Sequence, residues 1–121
     1  MKIAFISHGS REDLIISFIL DNVKFFKRGD VQIMSTTKIK NKIEKENPEI
    51  ENLLSWIPCE DEEIASMAFV KEIDIVIFFR DPFAKYPNNP DVQMLMTRVC
   101  DHHDIPLATN YSTSKRLIET F

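Results

Sequence analysis

The stretch IDIVIFFRDPFAKYPNNPDVQMLMTRVCDHHDIPLATN, residues 73–110, decides the fold. Residues 73–79 are an almost continuous apolar run of strand length, the pattern of a strand buried on both faces. Arg80-Asp81-Pro82 ends it, and YPNNPDV is turn chemistry. Pro90 suits the first position of a helix capped by Asn89 or Asp91. Val92, Leu95, Met96 and Val99 recur at helical spacing and predict its core face. Residues 106–110 then read as a short strand ending in Ala108-Thr109-Asn110. A strand–helix–strand unit makes two parallel strands that deliver polar groups to one edge, where open α/β sheets bind ligands.

The rest of the chain repeats this alternation. KIAFIS (2–7) predicts a buried strand. Ser10 suits the cap of a helix over 11–24, whose inner face is Leu14, Ile15, Phe18, Ile19 and Val23. Gly29 closes the following turn. VQIMS (31–35) predicts a second strand. Thr36 and Thr37 open a basic helix over 38–45, and Pro48 ends that segment. Residues 53–57 read as a short third strand or an extended piece. A helix over 61–71 turns Ile64, Met67 and Ala68 inward. Ser112 caps a last helix reaching residue 120. The order predicts one domain over residues 1–121: a doubly wound α/β fold with a mainly parallel five-stranded sheet and helices on both faces.

The chain has 121 residues and is 44% hydrophobic, which suits one domain with a real core. Its net charge of -4 argues against a nucleic-acid polymer or an acidic membrane as partner. No apolar run is long enough for a membrane span, and the apolar start is too short for a signal peptide. Cys59 and Cys100 show no pairing pattern, which fits reduced thiols in a cytoplasmic setting. With two glycines in the chain, a glycine-rich phosphate cradle is excluded. His102 and His103 lack partners at metal-ligand spacing, so no metal is expected.

If the sheet is parallel, polar residues gather at the carboxyl ends of its strands. They are His8, Gly9 and Ser10; Ser35, Thr36 and Thr37; Ser55 and Asp61; Arg80 and Asp81 with Asn88, Asn89 and Asp91; and Thr109 with Asn110. Such an edge, lined by helix N-termini, suits binding phosphate and removing a proton. Each group also has an ordinary structural reading. His8 suits a surface histidine, the threonines a helix cap, Asp61 an acidic first turn, and Arg80-Asp81 an ion pair. Lys38, Lys40, Lys42 and Lys45 suit one solvated helix face. From the residues alone, no definite reaction follows.

IDIVIFFRDP, PNNPDV, IPLATN and the opening MKIAFISH resemble the methylglyoxal synthase family, and the resemblance runs over nearly the whole chain. It implies a carbon–oxygen lyase that converts dihydroxyacetone phosphate to methylglyoxal and phosphate without a cofactor. It also implies a small phosphorylated ligand as partner and a homo-oligomer, a hexamer in that family. Asp61 falls on the family's catalytic aspartate, the general base. His8 falls on its substrate-polarising histidine, and Asp91 on an active-site acid. Thr36, Thr37 and Ser55 fall on phosphate-binding residues, with Ser35 beside them. Asn88 stands where the family has a second histidine, and keeps a hydrogen-bond donor without proton shuttling. Glu12 stands where it has a phosphate-binding lysine, with Arg11 as the neighbouring cation. Trp56 and Cys59-Glu60 replace glycines. These departures keep a second reading open: a module that has lost the lyase chemistry and binds a phosphorylated metabolite or nucleotide, with Trp56 and Arg80 stacking on a base or ribose.

Overall fold

The computed structural model describes residues 1–7, 9–81, 83 and 90–121, side chains at 61, 62, 69 and 90–93 excepted. His8, Pro82 and residues 84–89, and with them the Asn89 cap, lie outside the described residues.

Five strands form one all-parallel sheet: β1 (Lys2–Ser7), β2 (Gln32–Ser35), β3 (Trp56–Pro58), β4 (Ile75–Phe79) and β5 (Leu107–Ala108). Their order is β3-β2-β1-β4-β5. The helices are α1 (Glu12–Asp21), α2 (Val23–Phe26), α3 (Thr37–Glu46), α4 (Pro48–Glu51), α5 (Asp61–Phe69), α6 (Pro90–His103) and α7 (Tyr111–Ile118).

Alternating side chains of the buried strands serve two separate cores, as the period of two in a strand requires. Ile3, Phe5, Ile33, Ile75, Ile77 and Phe79 face α1, α2, α3 and α7, packing on Ile15, Phe18, Phe26, Ile39, Ile43 and Ile118. Ala4, Ile6, Met34, Val76 and Phe78 face α5 and α6, packing on Ile64, Ala65, Ala68, Met96, Val99 and Cys100. The fold is therefore doubly wound. The helix after β1 lies on one face and the helix after β4 on the other, so the connections leaving these paired neighbouring strands part to opposite faces and open a crevice beyond their carboxyl ends.

Local details differ from expectation for identifiable reasons. The first helix is split: α1 ends at Asn22, whose buried side-chain amide donates to the Phe18 carbonyl at 2.8 Å, and α2 restarts after it. Ser10 is not the cap, because its hydroxyl is drawn to Asp81 and Arg11 takes the cap position. Pro48 begins the short α4 instead of ending a segment, since a proline at the first helical position loses no hydrogen bond. The third strand lies later than 53–57; Leu53 is exposed, and pairing with β2 begins where the Ile33 N–H donates to the Ser55 carbonyl at 2.8 Å. On α6, Leu95 is exposed, and the core stripe is Met96, Val99 and Cys100. The last helix is capped by Asn110, whose side-chain oxygen accepts from the Thr113 N–H at 2.9 Å, and Ser112 is an exposed helical residue.

Candidate functional site

The carboxyl edge of the sheet is the end of β1 at Ser7, of β2 at Ser35, of β3 at Pro58, of β4 at Phe79 and of β5 at Ala108. At the crevice between β1 and β4, the turn after β1 meets the loop after β4. The Ser10 hydroxyl donates to Asp81 Oδ2 at 3.1 Å, and Arg11 Nη2 stands 4.0 Å from Asp81 Oδ1. The other oxygen of that carboxylate also accepts the Phe83 N–H at 3.1 Å, which turns the chain away from β4.

Beside this junction lies an open cavity of about 600 Å³ lined by Arg11, Leu14, Phe79, Arg80, Thr109, Asn110 and Tyr111. That size is in the range of small-metabolite sites. Its floor is the end of β4 and its walls are the starts of α1 and α7. Arg11 Nε is buried there without a hydrogen-bond partner among the described residues, so the cavity presents cationic, donor-rich groups. Leu14 and Tyr111 were not among the expected site residues. Both are partly buried against the core, and only the convergence of α1 and α7 brings them to the edge.

On the other side of β1, Ser35 ends β2 and Thr36 precedes α3, with extended backbone that suits a helix cap. Ser35 is 0% exposed, and its Oγ has no hydrogen-bond partner among the described residues. The Thr36 side chain does not cap α3, so among the described residues the first-turn N–H groups remain available to an acceptor. Asp61 is the first residue of α5, directly beyond the end of β3. Its backbone is at the carboxyl edge, and α5 begins with the Glu60 N–H donating to Glu63 Oε1 at 3.3 Å.

The expected residues are thus only partly united. Arg11 and Arg80 share the cavity, while Ser35, Thr36 and Thr37 stand together over β2. Ser55 and Trp56 do not reach the edge. Ser55 precedes β3 and is exposed at the opposite end of that strand. Trp56 is the first residue of β3, opposite Ile33, and packs on the core beneath α3. The later start of β3 is the cause. The side chains of His8, Asp61, Asn88 and Asp91 lie outside the described residues.

One cluster was misread from spacing. Lys38 and Lys42 are not simply a solvated face. They close on Glu12, the first residue of α1, with Lys38 Nζ 3.3 Å from Oε1 and Lys42 Nζ 3.0 Å from Oε2. Burial alone would raise the Glu12 pKa, but the hydrogen bonds and charges of Lys42 and Lys38 outweigh it and hold the carboxyl below its ordinary value. The signal in the sequence is two lysines four apart on the helix after β2, facing an acid that opens the helix after β1. Among the described residues, no three His, Cys, Asp or Glu side chains cluster to hold a metal, and no helix is long and apolar enough to cross a membrane.

Comparison with known proteins agrees with this architecture. No protein-family model matches the sequence. The chain is 38% identical over 117 residues to methylglyoxal synthase of Carboxydothermus hydrogenoformans, covering 95% of this chain and 93% of that one. It is 35% identical to the methylglyoxal synthase of Acholeplasma laidlawii, over 98% of this chain and 96% of that one. The Bacillus subtilis protein of the same name is 35% identical over 99% of this chain and 86% of its own length. The crystal structure of methylglyoxal synthase from Elizabethkingia anophelis superposes with a TM-score of 0.75 at 22% identity, over 97% of this chain and 76% of that one, and so shares the fold. The alternating sheet, the switch-point crevice and this full-length kinship place the chain in the methylglyoxal synthase family.

Proposed function

We propose that the protein is an active methylglyoxal synthase, a lyase that eliminates phosphate from dihydroxyacetone phosphate. The observation that supports it is the kinship over 95% of this chain; by the family resemblance Asp61 falls on the general base, and its backbone opens α5 at the carboxyl edge. In this reading, the Asp61 carboxylate takes a proton from the hydroxyl-bearing carbon beside the ketone. The electron pair moves into an enediolate, whose oxygen is stabilised by donors from His8 and Asn88. Collapse of the enediolate breaks the carbon–oxygen bond to phosphate. The resulting enol becomes methylglyoxal on tautomerisation, so atoms balance and no net oxidation occurs. Asp91 orients the histidine side of the site. Thr36, Thr37 and the first turn of α3 receive the phosphate, because free N–H groups at a helix start favour an anion. Arg11 supplies positive charge from the β1 side. Ser55 and Trp56 have no part in this scheme, since they lie away from the edge.

The reading extends to a homo-oligomer, hexameric as the family resemblance implies, working in the cytoplasm. Two free, buried thiols accord with a reducing compartment. Light scattering of the purified protein checks the assembly.

Inorganic phosphate release from dihydroxyacetone phosphate, read beside an Asp61→Asn control, tests the activity. The control matters because the substrate also decomposes slowly by itself. Turnover well above the control supports the lyase. A rate equal to the control, together with calorimetric binding of a sugar phosphate or nucleotide, establishes the binding-module alternative instead.

A further inference from the structure

Glu12 opens α1 and meets the start of α3, where the lyase reading places the phosphate. α1 and α3 begin side by side on the same face of the sheet, both at its carboxyl edge. An acid at the start of α1 would by itself repel a phosphate. Here each of its oxygens holds a separate ammonium, Lys38 on Oε1 and Lys42 on Oε2, so the triad carries a net positive charge. The three members are not equivalent. The Glu12 side chain is only 14% exposed, Lys42 is 39% exposed and Lys38 is 66% exposed. Lys38 belongs to the first turn of α3. Lys42 lies four residues further from the edge, about 6 Å along a helix that rises 1.5 Å per residue. Lys42 is thus the anchor and Lys38 the member free to meet a ligand. A second observation points to a ligand at this end of α3: the wholly buried Ser35 Oγ, one residue before the cap, has no hydrogen-bond partner among the described residues.

We propose that Lys38 is the cation that binds the substrate's phosphate, and that Glu12 is a positioning residue that holds it there, anchored in turn by Lys42. The assignment rests on the lyase reading above. Glu12 limits where the flexible Lys38 stem can go, so less freedom is lost on binding. Without Glu12 the two lysines repel, and Lys38 turns into solvent.

Steady-state kinetics with dihydroxyacetone phosphate, with inorganic phosphate as a competing ligand, test this. Lys38→Met should raise KM and the phosphate inhibition constant about tenfold while kcat changes much less, as loss of one charge-assisted hydrogen bond predicts. Glu12→Gln should raise KM in the same direction, and Glu12→Asp should restore part of the loss, which a merely structural role would not produce. Circular dichroism confirms that each variant folds. Wild-type turnover with an unchanged KM in Lys38→Met overturns this assignment and leaves the lyase reading standing. If the wild type binds dihydroxyacetone phosphate calorimetrically without turning it over, the lyase reading fails, and loss of that binding in Lys38→Met upholds the cation. A wild type that neither turns over nor binds the compound overturns both.

Discussion

The Ser10 hydroxyl and the Asp81 carboxylate, 71 residues apart in sequence, meet at 3.1 Å and close the crevice between β1 and β4. The bond joins the turn that leads to one face of the sheet with the loop that leads to the other. Ser10→Ala removes the donor while leaving the acceptor its Phe83 N–H. The expected cost is about 1 kcal/mol, the net value of one hydrogen bond. Urea unfolding should show a lower midpoint with the same slope. An unchanged midpoint would mean that the bond contributes nothing in solution.

Phe18 is wholly buried and its ring lies between 5.1 and 6.1 Å from those of Phe5, Phe26, Phe79 and Tyr111. These residues come from β1, α2, β4 and α7, so one side chain ties four elements on the same face. Phe18→Ala should destabilise the protein by about 3–5 kcal/mol through lost burial and the cavity left behind. Phe18→Leu should cost clearly less. Equal losses for the two variants would show that ring volume is not what matters.

Asn110 caps α7 and also borders the cavity. Asn110→Ala leaves the Thr113 N–H without its acceptor and should cost about 1 kcal/mol. Asn110→Asp keeps an acceptor and adds charge at a helix start, so it should hold or raise the melting temperature. A fall as large as that of the alanine variant would count against the cap.

Glu12 contributes to the acid side of the stability profile. Its folded-state pKa lies below its ordinary value of 4.5, so its contribution is present above that value and is lost as pH falls through the folded pKa. Stability measured from pH 6 downward should therefore decline below about pH 5, and the decline should be shallower in Glu12→Gln. Identical slopes would show that the ion triad is not formed in solution. Glu12→Lys, which looks like restoration of a family lysine, should instead destabilise the fold, because it places three ammonium groups together.

The Cys100 thiol is pushed up to about 11, by burial first and by neighbouring Asp101 second. Cys59 is also raised, again mainly by burial. At pH 8 both should stay protonated and react slowly with a thiol reagent in the native protein, then rapidly in denaturant. Fast native labelling of either would mean that its burial is transient.

Apolar runs such as IDIVIFF and KIAFIS disclosed the parallel sheet, because a strand covered on both faces leaves nowhere for a polar side chain. Periodic Ile15, Phe18 and Ile19, or Met96 and Val99, disclosed the helices that cover it. The caps were less legible. Ser10 and Ser112 both match cap chemistry, yet the hydroxyl of one is drawn to Asp81 and the other has Asn110 ahead of it. The third strand was misplaced because Leu53 and Leu54 are as apolar as a strand requires, although only Leu54 is buried.

The succession of strands and helices, the two cores they demand, and the kinship to the methylglyoxal synthases were all legible along the chain. All of these depend on local pattern, repeated along the chain. Which polar residues meet was settled by the packing of distant elements. It put Arg11 and Arg80 on one cavity, withdrew Ser55 and Trp56 from the edge, and turned Glu12 from an apparent repeller of phosphate into the holder of two lysines. Those outcomes depend on strand register and on how α1 and α3 lie side by side. Such relations connect residues far apart in the chain, and no local spacing records them.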